Sequence, residues 1–156
     1  MIDTADQWAV VGRIALAALL GGLIGFERDF RGYPAGVRTT ALVCMGSALF
    51  ADMSRAYGGD DRIAAQIVSG IGFIGAGLIF RDRGSSIRGV TTAATIWTAA
   101  AIGVALGVGA YVVAIFATLF TIVLLELSRY TKNLHGLGRM DEPETDETGG
   151  GRDEAN

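Results

Sequence analysis

Residues 89–125, GVTTAATIWTAAAIGVALGVGAYVVAIFATLFTIVLL, contain no charged side chain over 37 consecutive positions. A soluble domain built from 156 residues has no interior able to bury so long an apolar stretch. A helix that crosses the hydrocarbon core of a bilayer needs about 20 apolar residues. The stretch is therefore long enough for two membrane helices, which we expect to separate near Gly107-Val108-Gly109.

Three further uncharged stretches, 14–26, 39–51 and 63–80, precede this one. An N-terminal signal peptide would begin with basic residues, whereas this chain begins with Asp3 and Asp6. We therefore predict an all-α fold, a polytopic membrane helix bundle of about five transmembrane helices. The predicted helices cover residues 8–26, 39–57, 63–80, 90–106 and 110–127.

Basic residues are distributed unevenly between the two sides that five membrane spans define. Outside residues 141–156, nine fall on the side of the C-terminus and three fall on or near the opposite side. Cytoplasmic loops are richer in arginine and lysine, so we predict an outer N-terminus and a cytoplasmic C-terminus. The nine are Arg28, Arg31, Arg38, Arg81, Arg83, Arg88, Arg129, Lys132 and Arg139, and the three are Arg13, Arg55 and Arg62.

The rest of the composition limits the function classes. A single cysteine excludes an internal disulfide and a cysteine-based metal cage. Residues 141–156 are acidic and nearly free of apolar side chains, so we expect a disordered acidic tail after a transmembrane domain of residues 1–140. The sequence shows no catalytic triad, paired catalytic carboxylates or phosphate-binding loop. We predict a protein that is not an enzyme, with no catalytic residues, no cofactor and no nucleic-acid partner.

The glycines of residues 69–77, SGIGFIGAG, match the spacing of a dinucleotide-binding loop. That interpretation needs a preceding strand and an acidic residue about 20 positions later, where this sequence has Thr91 to Thr95. Small residues in a membrane helix more often let neighbouring helices approach closely, and Gly21-x-x-x-Gly25 and Gly103-x-x-x-Gly107 favour the same role. A cavity lined by exposed backbone is the alternative for residues 69–77.

A charged cluster ends the first predicted helix on the cytoplasmic side. Glu27, Arg28 and Asp29 are followed by a Pro34-Ala35-Gly36 turn, after which Arg38 and Thr39 begin the second helix. Thr91 and Thr92 begin the fourth helix on the same side. Interfacial anchoring explains the charges and helix capping explains the hydroxyls. A functional cytoplasmic cluster is the alternative.

Asp52 is the main candidate for a site inside the membrane. An ionised carboxylate at that depth is costly unless it is paired or hydrated. Arg13 and Asp52 each lie thirteen residues from the inner end of their helices, at a depth of roughly 20 Å, so we expect an ion pair. Gln66 and Ser69 would add oxygen atoms at a similar level, and such a set suits Mg²⁺. The alternatives are a pair that only orders the bundle, or an arginine that reaches the outer headgroups.

Four sequence blocks occur in order: GGLIGFER at 21–28, AGVRTTALV at 35–43, SGIGFIGAG at 69–77 and RGVTTAATIW at 88–97. Together they resemble the MgtC/SapB family of bacterial inner-membrane proteins. The resemblance implies a multi-pass protein of the cell inner membrane with a role in Mg²⁺ homeostasis or transport, in a family associated with virulence. Many relatives have a cytoplasmic C-terminal domain, whereas only an acidic tail follows Met140 here.

Two hypotheses follow for the function. The first is a protein of Mg²⁺ homeostasis that moves or senses the cation as a homo-oligomer or an accessory subunit, with Asp52 as the metal-binding candidate. The second is a non-transporting regulatory protein whose helices bind another membrane complex, such as the ATP synthase that the resemblance suggests. In both, the lipid bilayer surrounds the helices.

Overall fold

Five helices and one short hairpin make up the described part of the chain. The computed structural model describes residues 4–56, 58, 61–81 and 87–137, with side chains except at 61, 80, 81 and 128–137. The prediction of a helical fold is confirmed. The elements are α1 (Thr4–Phe30), α2 (Val37–Ala56), α3 (Asp61–Leu78), β1 (Phe80–Arg81), β2 (Ile87–Arg88), α4 (Val90–Gly107) and α5 (Tyr111–Leu137).

Several helix ends differ from those predicted. Helix α1 continues through the charged residues to Phe30, where Gly32 adopts a left-handed conformation (φ 69°) and the Tyr33 amide donates to the Arg28 carbonyl. This is a common way for a helix to end. Helix α3 ends at Leu78 rather than at 80, because β1 pairs with β2 in an antiparallel hairpin that the sequence analysis did not predict. The turn between α4 and α5 lies at the predicted position, where Gly109 has φ 85°.

Small residues allow α1 and α2 to pack closely. The buried residues of α1 recur every three or four positions, so they form one face of the helix. A side chain at Gly21 would place its Cβ 2.6 Å from the Thr40 carbonyl oxygen, and one at Gly25 would collide with Val37 and Thr40. The packing role predicted for these two glycines is confirmed. The buried residues of α1 are Ala17, Leu20, Gly21, Ile24, Gly25 and Arg28.

Within residues 1–124, helix α4 packs against α1, α2 and α3. Gly103 faces Cys44 and Ser47 of α2, while Gly107 faces Ala48 and Ala51, and a Cβ at either glycine would overlap α2. The predicted packing role of this glycine pair is also confirmed.

The glycines of α3 differ from those of α1 and α4. Gly70, Gly72 and Gly77 have no neighbour within 4 Å of the position that a Cβ would take, and only Gly75 faces another helix, at Ala93. The packing interpretation is therefore wrong for most of this stretch. Gly70 instead lines a cavity of about 850 Å³ between α2 and α3, as the alternative interpretation proposed.

The surface of the bundle is more apolar than much of its interior. On α2, the exposed side chains include Leu42, Leu49 and Phe50, whereas Thr40, Cys44, Ser47, Ala48, Ala51, Asp52 and Ser54 are buried. Phe73 on α3 is 83% exposed. Monomeric soluble proteins rarely expose such continuous apolar surface, whereas a lipid environment requires it. The arrangement is that of a membrane protein.

Judged by length and composition alone, two described helices, α1 and α4, are long and apolar enough to cross a membrane. Helices α3 and α5 contain shorter apolar segments, Arg62–Leu78 and Tyr111–Leu127. Helix α2 has a lower average hydropathy because its buried face is polar, although its outer face is apolar. Five spans with an outer N-terminus therefore stay a prediction.

The chain divides into two compact units, residues 1–124 and residues 125–156. The first contains α1 to α4, the hairpin and the first half of α5. In the second, residues 125–137 are helical. The predicted disordered tail, 141–156, lies outside the described residues, as does the end of the predicted transmembrane domain at 140.

Candidate functional site

Arg13 and Asp52 form an ion pair within the bundle. The Nη1 group of Arg13 donates to Oδ1 of Asp52, joining α1 to α2. The two side chains are only 12% and 8% exposed. The ion pair predicted by counting depth along the two helices is confirmed, and the interpretation of Arg13 as an arginine that only reaches the headgroups is wrong.

Two further residues complete what we call the Asp52 cluster, which consists of Arg13, Asp52, Arg55 and Tyr111. Arg55 Nη2 lies 3.4 Å from the same Asp52 oxygen, and Arg13 Nε donates to the Tyr111 hydroxyl over 3.2 Å. One carboxylate therefore faces two guanidinium groups, and the cluster has a formal charge of +1. It connects α1, α2 and the start of α5.

Gln66 and Ser69 lie elsewhere on α3. Both are exposed, and Gln66 lines the α2–α3 cavity together with Ser47 and Arg62. Asp52 is not among the residues that line this cavity. The hydrogen bonds of Asp52 go to the two arginines, so the structure does not bring the predicted oxygen set together around this carboxylate.

The chemistry of the Asp52 cluster bears on metal binding. Within the described residues, no three His, Cys, Asp or Glu side chains are grouped so as to hold a metal ion. A divalent cation at Asp52 would have to displace at least one guanidinium group, or bind the second carboxylate oxygen beside two positive charges. Direct Mg²⁺ binding at Asp52 therefore stays a prediction that depends on such competition.

A second group, which we call the Arg28 cluster, lies at the other end of α1 and consists of Arg28, Tyr33 and Thr92. Arg28 is only 3% exposed. Its Nη2 donates to Thr92 Oγ1 over 2.7 Å, and its guanidinium carbon lies 4.2 Å from the centre of the Tyr33 ring. Its Nε is buried and has no hydrogen-bond partner in the part of the chain that the structure describes. Arg28 is buried because it continues the apolar face of α1, seven residues after Gly21.

The neighbouring charged residues have separate roles. Glu27 accepts from Arg31 Nε over 2.6 Å, while its second oxygen is buried and has no hydrogen-bond partner among the described residues. Asp29 accepts from the Val37 amide over 2.9 Å and so caps the start of α2. The Pro34-Ala35-Gly36 turn thus holds Asp29 against α2. This gives Asp29 a structural role.

Other predicted site residues lie apart from these contacts. Arg38, Thr39 and Thr91 are exposed, and Thr92 is buried. The structure thus brings together Arg28 and Thr92, which the sequence analysis placed on the same side. It does not draw Arg38 or Thr39 into the interior.

The sequence analysis missed Arg55, Tyr33 and Tyr111. Arg55 follows Asp52 by three positions, a spacing that places two side chains on the same helix face, so it could have been found. Tyr111 follows the predicted turn between the last two helices, which brings it to the depth of Arg13. Tyr33 lies in a loop, where no periodic signal exists.

The chain was compared with known proteins. The sequence profile described as the MgtC family matches residues 14–134. The chain is 53% identical over 119 residues to "Protein MgtC" of Brucella abortus (strain 2308), covering 74% of this chain and 50% of that protein. It is 47% identical over 127 residues to "Putative magnesium transporter YhiD" of Escherichia coli (strain K12), covering 74% of this chain and 58% of that protein.

A third similar protein is "Protein MgtC" of Salmonella typhimurium (strain LT2), which is 52% identical over 105 residues. That alignment covers 66% of this chain and 45% of the Salmonella protein. The chain thus spans about half the length of the curated relatives it matches. No solved structure matches it.

Proposed function

Because this chain belongs to the MgtC family, we propose that it is a multi-pass protein of the bacterial inner membrane that acts in Mg²⁺ homeostasis. We also propose that this role is not enzymatic. The proposed role in Mg²⁺ homeostasis is supported by the family match over most of the described residues and by the name of the Escherichia coli relative, "Putative magnesium transporter YhiD".

The observation that carries a cation-linked role is the Arg13–Asp52 pair. A buried carboxylate inside a membrane protein is expensive, and its presence commonly marks a functional site. We infer that a divalent cation acts by competing with Arg13 for the Asp52 carboxylate. Such competition would loosen the connection between α1 and α2 and thereby report the cation concentration to the rest of the bundle.

The proposed topology places the Asp52 cluster towards the outer side and the Arg28 cluster towards the cytoplasm. It follows from five spans together with the distribution of basic residues. A reporter that is active only in the cytoplasm should work when fused after Asn156 and fail when inserted at Gly58. The reverse result would overturn the proposed orientation.

Growth at limiting Mg²⁺ tests the homeostasis proposal. A bacterial strain without its own MgtC-family protein would receive the wild-type chain, Asp52→Asn or Asp6→Asn. Asp6 lies exposed in the first turn of α1, so Asp6→Asn makes the same carboxylate-to-amide change outside the cluster. We expect growth to be restored by the wild type and Asp6→Asn but not by Asp52→Asn. Equal growth with all three chains, at equal membrane levels, would exclude a role for Asp52.

A second candidate is regulation of another membrane complex without transport. It is favoured by the two guanidinium groups that already face Asp52 and by the close packing of α1, α2 and α4. Purified protein in liposomes that contain a Mg²⁺-sensitive dye separates the two. Flux that Asp52→Asn abolishes supports transport, whereas restored growth without flux supports regulation, either as a homo-oligomer or through a membrane-protein partner.

A further inference from the structure

Among the described residues, Arg28 is a buried cation that forms no ion pair. The described structure gives it one hydrogen bond, to a neutral threonine, and one aromatic ring. Glu27 is the adjacent carboxylate: its Oε1 accepts from Arg31, and its Oε2 is buried without a hydrogen-bond partner among the described residues, so Glu27 makes no hydrogen bond to Arg28. A buried N–H group without an acceptor normally costs as much as a lost hydrogen bond, so the Nε group of Arg28, which has no acceptor among the described residues, needs an explanation.

The start of α4 adds donors at the same place. Its first turn has no side-chain cap at Gly89, and the N–H groups of Val90, Thr91 and Thr92 have no acceptor within the described residues. The N-terminus of a helix has a partial positive charge that favours anions. Here the side chain held against that turn is a cation instead, because Arg28 donates to Thr92.

Helix α2 shows what a satisfied helix start looks like in this protein. Asp29 supplies a carboxylate to the Val37 amide, so α2 begins against a negative charge. Helix α4 begins at Gly89, whose left-handed conformation (φ 90°) and close approach to the Leu78 carbonyl leave no space for a side chain that could cap it. Within the described residues, no anionic side chain forms a hydrogen bond or an ion pair with the first turn of α4 or with Arg28.

We propose that the start of α4 and Arg28 together form a binding site for a phosphate group. Phosphate oxygens accept hydrogen bonds from arginine and from the free N–H groups at the start of a helix, and the proposed site offers both kinds of donor. The group can approach from the surface, because Thr91 is exposed and Tyr33, which covers the guanidinium, is 43% exposed. A phospholipid headgroup and free phosphate share this chemistry.

The site is tested with the full chain, purified in phosphate-free detergent, by thermal unfolding during titration. The probes are inorganic phosphate at constant ionic strength and dioctanoyl phosphatidylglycerol, with dioctanoylglycerol as the lipid that lacks a phosphate. We expect at least one phosphate probe to raise the Tm of the wild type and of Arg38→Gln, an exposed arginine nearby, but not of Arg28→Gln. The effective probe identifies the source, and dioctanoylglycerol should have no effect.

A gentler pair of variants keeps the test decisive if Arg28→Gln does not fold. Thr92→Val removes the hydroxyl that holds Arg28 against α4, whereas Thr98→Val removes a hydroxyl that bonds within α4, to the Ala94 carbonyl. We expect phosphate binding to weaken by about threefold or more in Thr92→Val and to stay unchanged in Thr98→Val. Any of three results would overturn the proposal: equal phosphate binding by Thr92→Val and Thr98→Val, equal stabilisation of the wild type and Arg28→Gln, or no stabilisation of the wild type by either phosphate probe.

Discussion

Arg13 and Arg28 lie on the same helix, about 22 Å apart along its axis. Both guanidinium groups are largely buried, but their hydrogen-bond partners differ in charge. Arg13 reaches a carboxylate on α2 and a hydroxyl on α5. Arg28 is more deeply buried, yet it reaches only a threonine and a tyrosine ring. Arg13 is thus paired with an anion of the described protein, whereas the anion that we propose for Arg28 comes from outside the chain.

The largest effect is expected for the Asp52 cluster. Asp52→Asn leaves Arg13 and Arg55 facing each other without a negative charge, and breaking a buried pair in this way should cost about 3 kcal/mol of unfolding free energy. Unfolding by SDS in mixed micelles, followed by circular dichroism, would measure it. Asp6→Asn is the control. A loss no larger than that of the control would show that the pair does not stabilise the bundle.

A double-mutant cycle sharpens this result. Arg13→Gln and Asp52→Asn remove the same contact, so their losses should not add, and we expect a coupling energy of about 2 kcal/mol in the same unfolding assay. Arg13→Gln combined with Asp6→Asn supplies a pair without contact and should be additive. Additive losses for Arg13 and Asp52 would contradict the ion pair.

A smaller effect is expected where α2 begins. Asp29→Ala removes the carboxylate that accepts from the Val37 amide, so α2 would start without a cap, as α4 does. Losing such a cap should lower the unfolding free energy by about 1 kcal/mol. If stability is unchanged, the Asp29 contact is not what holds the turn, and the contrast between the two helix starts loses its basis.

The smallest effect is expected for Arg28→Met in phosphate-free detergent. Replacing a buried charge that has no charged partner with an apolar side chain of similar length is often neutral or stabilising. We expect the unfolding free energy to change by less than about 0.5 kcal/mol or to rise, because the thioether still packs on the Tyr33 ring. A loss as large as that of Asp52→Asn would show that Arg28 is stabilised within the protein and would remove the contrast with Arg13.

Much of this arrangement follows from local sequence properties. The uncharged stretches predict five helices, and the glycine pairs of α1 and α4 predict close packing, because both depend on short-range spacing along a helix. Counting depth along two helices joined by a short loop was enough to predict the Arg13–Asp52 pair. The same counting did not reveal Arg55, although it needed only the helical repeat.

Only the tertiary structure decided which polar groups have partners. The glycines of α3 match a packing motif, yet most of them face no neighbour, because a motif specifies a helix face and not what lies opposite it. Arg28 is one of nine basic residues on the predicted cytoplasmic side, and its spacing from Gly21 places it on the glycine face of α1 without showing what that face contacts. Arg28 is buried because it lies on the packed face of α1. That face meets the start of α4, sixty-one residues later in the chain, where Gly89 has no side chain that could accept a hydrogen bond from Arg28. The sequence determines which residues share a helix face, whereas the packing of distant helices determines what each face meets.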